Sequence, residues 1–337
     1  MTMRQLILGF WDDVRQAFNQ PLPENLEKYK TQHFSRLVLC GLGGSGMAGS
    51  LIRSLTENFS ELNNSNPLWI SQCREYDLPA CRPEDTLIFL SSHSGNTEET
   101  LSCAQQAAEK GIFCVVFTSG GKLQHMALEH NWPWVPLPGG RPPRSCLGFS
   151  WVLQMRVMAT LGLLHESVLN TLITSIPEWA QRQNIMDDDA REMAFHLKDK
   201  CLLIVTDTLL QPVAERWMQQ LCENAKTMTH VAIVPEMNHN ELVAWRNLPR
   251  ETHVLFLEHP GLHPRNRLRY TFLQNEINNR LPYSRIVAGE NSLIANYAYL
   301  IHWGDVLSDH LATVHGVDAM DIQVIDRLKQ FLDAHRG

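Results

Sequence analysis

Two glycine- and hydroxyl-rich stretches, Gly41-Leu42-Gly43-Gly44-Ser45-Gly46 and Ser91-Ser92-His93-Ser94-Gly95-Asn96-Thr97, each follow an apolar run and each open a helical pattern. The runs are Leu37-Val38-Leu39-Cys40 and Thr86-Leu87-Ile88-Phe89-Leu90. A strand that turns through glycine into a helix is the repeating unit of a parallel α/β sheet. The start of such a helix offers unpaired N–H groups and the positive end of its dipole to an anion. Gly44 and its neighbours let the backbone close in, while Ser45, Ser92, Ser94 and Thr97 add hydroxyl donors. Together the two loops describe a phosphate site.

Other readings of the loops fit less well. Gly41, Gly43 and Gly46 satisfy the dinucleotide pattern, but that site needs an acid at the end of the next strand, and the run Leu68-Trp69-Ile70-Ser71 ends at Gln72. A nucleotide P-loop puts Lys and Ser or Thr after its last glycine, where Met47 and Ala48 stand. Ordinary strand-to-helix turns also favour Gly and Ser, which explains one loop better than a matched pair.

Along the chain, strands are expected at 36–40, 67–71, 86–90, 113–117 and 133–136, alternating with helices at 45–57, 96–110 and 120–129. Gly139-Gly140-Arg141-Pro142-Pro143-Arg144 breaks the rhythm, and helical stretches follow at 147–164 and 167–198. A second rhythm runs through strands at 201–205, 231–234, 254–257 and 284–287 and closes with helices at 292–312 and 321–335. The expected fold is α/β, with two doubly wound parallel-sheet αβα sandwiches of flavodoxin-like kind. The expected domains are 1–150, binding phosphate, a helical bridge at 151–198, and 199–337. In the second half Thr206-Asp207-Thr208 stands where a phosphate loop would be, so the halves read as a degenerate duplication.

The 337 residues, 44% hydrophobic, are enough for large cores, and a net charge of −7 with no basic stripe argues against nucleic acid. Cys40, Cys73, Cys81, Cys103, Cys114, Cys146, Cys201 and Cys222 show no CxxC pairing and read as buried thiols of a reducing compartment. The 3–18 stretch reads as one amphipathic helix rather than a secretory signal. The apolar 147–164 stretch is interrupted by Gln154 and Arg156 and is short for a bilayer. A cytoplasmic protein with no membrane partner is expected.

Gly43-Gly44-Ser45-Gly46 with Ser92-His93-Ser94-Gly95-Asn96-Thr97 resembles the sugar isomerase (SIS) domain, whose loops hold the phosphate of a sugar phosphate. Glu223-Asn224-Ala225-Lys226 and Pro235-Glu236-Met237-Asn238-His239-Asn240-Glu241 are similar to catalytic segments of one SIS branch, the bifunctional phosphoglucose/phosphomannose isomerases. The resemblance runs from about Gly41 to Lys329. It implies two SIS domains and interconversion of fructose 6-phosphate with glucose 6-phosphate and mannose 6-phosphate through a cis-enediol.

The resemblance implies roles for four further residues. Glu223 would be the base that moves the proton between C1 and C2; from spacing alone it is a helical Glu paired with Lys226. His239 would assist ring opening and be shared across a homodimer interface; from the sequence alone it is equally a solvated residue in a region capped by Asn238. Lys329 would act near the ring oxygen; the bland reading is a solvated helix face beside Asp326 and Asp333. The family's Thr-Pro pair upstream of that lysine is replaced here by Met320-Asp321-Ile322-Gln323. Arg144 would face the enediolate, with Arg141 as an internal competitor.

No HExxH motif or tight His/Cys cluster is visible among the fifteen histidines and eight cysteines, and enediol chemistry on a Glu base needs no metal or organic cofactor. Two other functions fit the loops: a sugar-phosphate-binding regulator without turnover, and an isomerase of another phosphosugar.

Overall fold

In the computed structural model, which describes residues 1–58, 68–289 and 292–335, the apolar runs of the first half form a five-stranded parallel sheet. Its strands are β1 (Arg36–Cys40), β2 (Trp69–Cys73), β3 (Thr86–Ser91), β4 (Phe113–Thr118) and β5 (Trp134–Pro136), in the order β2-β1-β3-β4-β5. That is the flavodoxin-like order, with its switch point between β1 and β3. The connecting helices are α3 (Gly43–Asn58), α4 (Glu98–Glu109) and α5 (Gly121–Glu129). Strand residues alternate between faces: Val38, Cys40, Ile88, Leu90, Cys114 and Val116 pack with α4 and α5, while Leu39 faces α3. β3 and β4 are buried at every position, as a sheet covered on both faces requires.

The second half repeats the order and, among the described residues, has no fifth strand. β6 (Cys201–Asp207), β7 (Thr229–Val234), β8 (Thr252–Glu258) and β9 (Tyr283–Val287) pair in parallel as β7-β6-β8-β9. α8 (Gln211–Ala225) connects β6 to β7, and α9 (Pro264–Ile277) lies between β8 and β9. Helices α6 (Leu147–Thr160) and α7 (Glu166–His196) separate the two rhythms, and α10 (Leu293–His315) and α11 (Gln323–Ala334) close the chain. Both halves therefore have the expected doubly wound α/β architecture.

Two compact units are defined by their internal packing: Leu8–Gln181 with Glu290–Ala298, and Met1–Ile7 with Arg182–Gly289 and Tyr299–Gly337. Each holds one sheet. Among the described residues no helix is long and apolar enough to cross a membrane.

Several local expectations are corrected. The single N-terminal helix is two, α1 (Met3–Leu8) and α2 (Phe10–Asn19), interrupted at Gly9, a residue with poor helix propensity. The strand expected at 67–71 runs at Trp69–Cys73, and residue 67 lies outside the described residues. α9 has no counterpart in the sequence reading, because only Tyr270, Leu273 and Ile277 are buried and its apolar stripe is narrow. Cys201 is exposed, since it occupies the first position of β6, at the solvent end of the strand.

Candidate functional site

The loops after β1 and β3 flank the switch point of the first sheet, where ligands of such folds bind. They are fastened to one another: the main-chain N–H of His93 donates to Ser45 Oγ at 3.1 Å. Because the Ser45 oxygen is the acceptor, its own proton remains available to a ligand. Ser92 Oγ and Thr97 Oγ1 are 2.8 Å apart, and Ser92 Oγ also accepts the Gly95 N–H at 3.1 Å. Only one of the two hydroxyl protons is consumed by that contact. Ser94, exposed at the tip, accepts the Asn96 N–H at 3.2 Å.

The glycines are there for close approach. Gly95 has φ +67°, and a Cβ on it would lie 1.8 Å from the Gly120 oxygen. A Cβ on Gly44 would lie 3.0 Å from the backbone of Arg144, so this glycine lets the 3₁₀ turn Pro143–Ser145 rest on the first loop. Arg144 itself is buried, with 3% of its surface exposed. Arg141 is committed elsewhere, to Asp13 through two hydrogen bonds of 2.7 and 3.2 Å and to the ring of Phe149.

The helix starts differ in strength as anion sites. α3 has no acidic residue in its first turn, whereas Glu98 and Glu99 open α4 and partly neutralise its dipole. The Gly43–Ser45 end is thus the more electropositive of the two. At Gln72, where a dinucleotide site would need an acid, the amide donates to Ser50 Oγ at 3.1 Å and turns toward α3.

Three residues here were not singled out as site residues by the sequence. His93 is a hub: besides its N–H, its carbonyl accepts from Ser119 N at 3.0 Å, and its ring Nε2 lies 2.9 Å from the Pro138 oxygen. A carbonyl only accepts, so Nε2 carries the proton, and burial lowers the ring's pKa. Ser91 and Gln154, 3% and 1% exposed, line a small cavity with Ser45 and Gly46. Among the described residues, neither Ser91 Oγ nor Gln154 Nε2 has a hydrogen-bond partner. The signal for Gln154 was in the sequence, as a polar residue in the apolar 147–164 run.

The second sheet has no hydroxyl-rich loop at its switch point. Asp207 ends β6, takes the Leu210 N–H at 3.1 Å on Oδ1 and a hydrogen bond from His259 Nε2 at 3.0 Å on Oδ2. Both residues are buried. An internal carboxylate thus occupies the position where the first sheet would accept an external anion.

Glu223 lies in the last turn of α8 and is half-buried. A polar stripe fixes that helix: Arg216 holds Asp305 through hydrogen bonds of 3.0 and 2.8 Å, and Asn224 Nδ2 reaches Ser308 Oγ at 2.9 Å. Trp217 stacks on Trp303 at 5.2 Å, and Gly304 leaves room for its indole. Lys226, with φ +57°, caps the helix, and Nζ donates to the main-chain oxygens of Glu223, Asn224, Asp318 and Asp321. His239 is exposed at the end of the 3₁₀ turn Glu236–His239, and the cap of the next turn is Asn240 rather than Asn238. Lys329 is exposed on α11, 3.8 Å from Asp326. Glu223, His239 and Lys329 therefore stand on three separate elements.

Residues 186–332 match the family model described as the bacterial phospho-glucose isomerase C-terminal SIS domain. A bifunctional phosphoglucose/phosphomannose isomerase of Thermoplasma acidophilum is 31% identical over 302 residues, covering 90% of this chain and 91% of that protein. The protein of the same name from Aquifex aeolicus is 31% identical over 325 residues, covering 96% and 98%. Among solved structures, the C-terminal domain of glucosamine-fructose-6-phosphate aminotransferase from Francisella tularensis superposes with a TM-score of 0.71 at 12% identity, covering 95% of this chain and 98% of that one.

Proposed function

The chain belongs to the family of bifunctional phosphoglucose/phosphomannose isomerases, and from that premise we propose that it interconverts fructose 6-phosphate with glucose 6-phosphate and mannose 6-phosphate through a cis-enediol. The observation that carries this reading is the fastening of Ser45 to His93, which holds two hydroxyl-rich loops at one switch point. Such a cradle suits a phosphate dianion with a polar chain attached.

In the proposed reaction the phosphate rests on Gly44, Ser45, Ser92, Ser94 and Thr97. The Glu223 carboxylate takes the proton from C2 of the open-chain aldose, or from C1 of the ketose. The electron pair left behind delocalises into the carbonyl and gives an enediolate. Arg144 stabilises that charge electrostatically, a hydroxyl proton passes between O1 and O2, and the protonated Glu223 returns its proton to the other carbon. Return of the proton to C2 from one face or the other gives the two epimeric aldoses.

His239 and Lys329 assist ring opening, His239 being shared across the interface of a homodimer. The chemistry uses neither metal nor organic cofactor, and the enzyme works in the cytoplasm. Support for these assignments comes from the family relationship and from the motifs that Glu223 and His239 occupy.

The test is to incubate the purified protein with fructose 6-phosphate and resolve the products by ion-exchange chromatography. Both glucose 6-phosphate and mannose 6-phosphate are expected. Saturable binding without product would leave a sugar-phosphate-binding regulator, and turnover of a different phosphosugar alone would leave a relative of altered substrate.

A further inference from the structure

Three cysteines far apart in the chain meet beneath the anion loops. Cys40 ends β1, Cys73 ends β2 and Cys103 lies on α4. Their sulfurs all lie within 4.8 Å of one another, with Cys73 Sγ and Cys103 Sγ 3.5 Å apart. None of the three is more than 5% exposed. The cluster is tied to the first loop, because the Gly41 N–H donates to the Cys73 main-chain oxygen at 3.3 Å.

Main-chain oxygens converge on the same sulfurs. Cys73 Sγ lies 3.2 Å from the Asp77 oxygen and 3.7 Å from that of Glu75. Cys103 Sγ lies 3.5 Å from the Glu75 oxygen and 4.0 Å from that of Tyr76. Residues 74–77 are exposed, so a thin turn separates the cluster from solvent. That turn is electronegative: Glu99, Glu98 and Glu75 raise the pKa of the Tyr76 hydroxyl. Arg74, the one basic residue of the turn, directs its guanidinium to Ser50.

A core that needs only small apolar filling is served by single cysteines. Three sulfurs meeting at one point, with carboxylates at the rim, favour a soft cation. We propose that Cys40, Cys73 and Cys103 form a three-sulfur binding site for Cu(I). Thiolate ligands select such ions, and a metal–sulfur bond of about 2.3 Å sets three sulfurs roughly 4 Å apart around the ion. Structural Zn(II) takes four protein ligands, whereas this cluster supplies three side-chain ligands among the described residues.

As each Cu–S bond forms, an S–H bond breaks and its proton goes to solvent; the copper remains Cu(I) and no electron is transferred. The site is independent of the isomerase reading, since its occupancy is read without turnover.

The test uses the full chain carrying Cys201→Ala, which removes the exposed thiol, kept reduced under argon. It is titrated with Cu(I) in competition with bicinchoninate, and the copper X-ray absorption spectrum is recorded. One bound Cu(I) per chain with three sulfur neighbours is expected. Cys40→Ala, Cys73→Ala and Cys103→Ala should each weaken binding by about 100-fold or more, with circular dichroism reporting that the variants are folded. The spectrum of the parent chain needs no core variant, so the test stands even if one fails to fold. No copper retained against the competitor, two-sulfur coordination, or affinity unchanged in the folded variants would overturn the proposal.

Discussion

Lys226 Nζ donates to the main-chain oxygen of Asp321 at 2.9 Å. Lys226 thus clamps the end of α8 to the turn at residues 318–321. The same ammonium satisfies the carbonyls of Glu223 at 2.7 Å and Asp318 at 2.8 Å, among the orphan acceptors that a helix end and a tight turn leave. The backbone carrying the proposed base is held from its C-terminal side by this one cation.

Lys226→Met keeps the side chain's length and removes its donors. The expected cost is about 1 kcal/mol, below the usual range for hydrogen bonds to a charged group because the residue is exposed. Hydrogen exchange across 318–323 should accelerate in the variant. Unchanged exchange there would show that the clamp does not hold the turn.

Gly95→Ala meets two obstacles, a left-handed backbone and the Gly120 oxygen. A loss of roughly 2–4 kcal/mol is expected, in the range of backbone-strain variants, together with loss of sugar-phosphate binding. Thermal unfolding and calorimetric titration with fructose 6-phosphate check both halves. A variant of normal stability and affinity would contradict the geometry of this loop.

Ser45→Ala removes both the acceptor for His93 and a proposed phosphate donor. KM for fructose 6-phosphate should rise about 10- to 100-fold, as for a lost hydrogen bond to a charged group. Ser94→Ala, at the exposed tip, should change it less. Equal effects from the two would mean that fastening the loops is not what matters.

His253 makes stability depend on pH. It is 4% exposed, its Nε2 lies 2.9 Å from Ser284 Oγ, and burial, then the neighbouring charges of His196 and Lys200, lower its pKa to about 4. Between about pH 6.5 and 4 the unfolded chain binds a proton that the folded chain refuses, so stability falls as pH falls through that window. Complete titration would cost on the order of 3 kcal/mol. His253→Gln should flatten the dependence of unfolding free energy on pH between 6.5 and 4. A slope unchanged by the substitution would assign the acid sensitivity to other groups.

Much of the first sheet could be read from the chain, because β1, β3 and β4 are buried on both faces and stand out as short apolar runs bounded by glycine. The two hydroxyl-rich loops stood out for the same reason, their Gly and Ser residues being contiguous. α9 was not, since its three buried residues leave eleven polar or exposed positions of a fourteen-residue helix without a broad apolar stripe. Contacts between distant residues were also out of reach. Lys226 meets carbonyls 92 and 95 residues downstream, and the cysteine cluster gathers positions 40, 73 and 103. Gln154 was visible only as an interruption, because its meaning depends on Ser91 and Gly46 lining the same cavity.

The central claim is proton transfer at C1 and C2 by Glu223. Its most direct test is proton NMR of the protein with fructose 6-phosphate in D₂O, run beside Glu223→Gln. Glucose 6-phosphate and mannose 6-phosphate carrying deuterium at C2, both abolished in a folded variant that still binds substrate, is the predicted result. Isomerisation that continues undiminished in Glu223→Gln would contradict it.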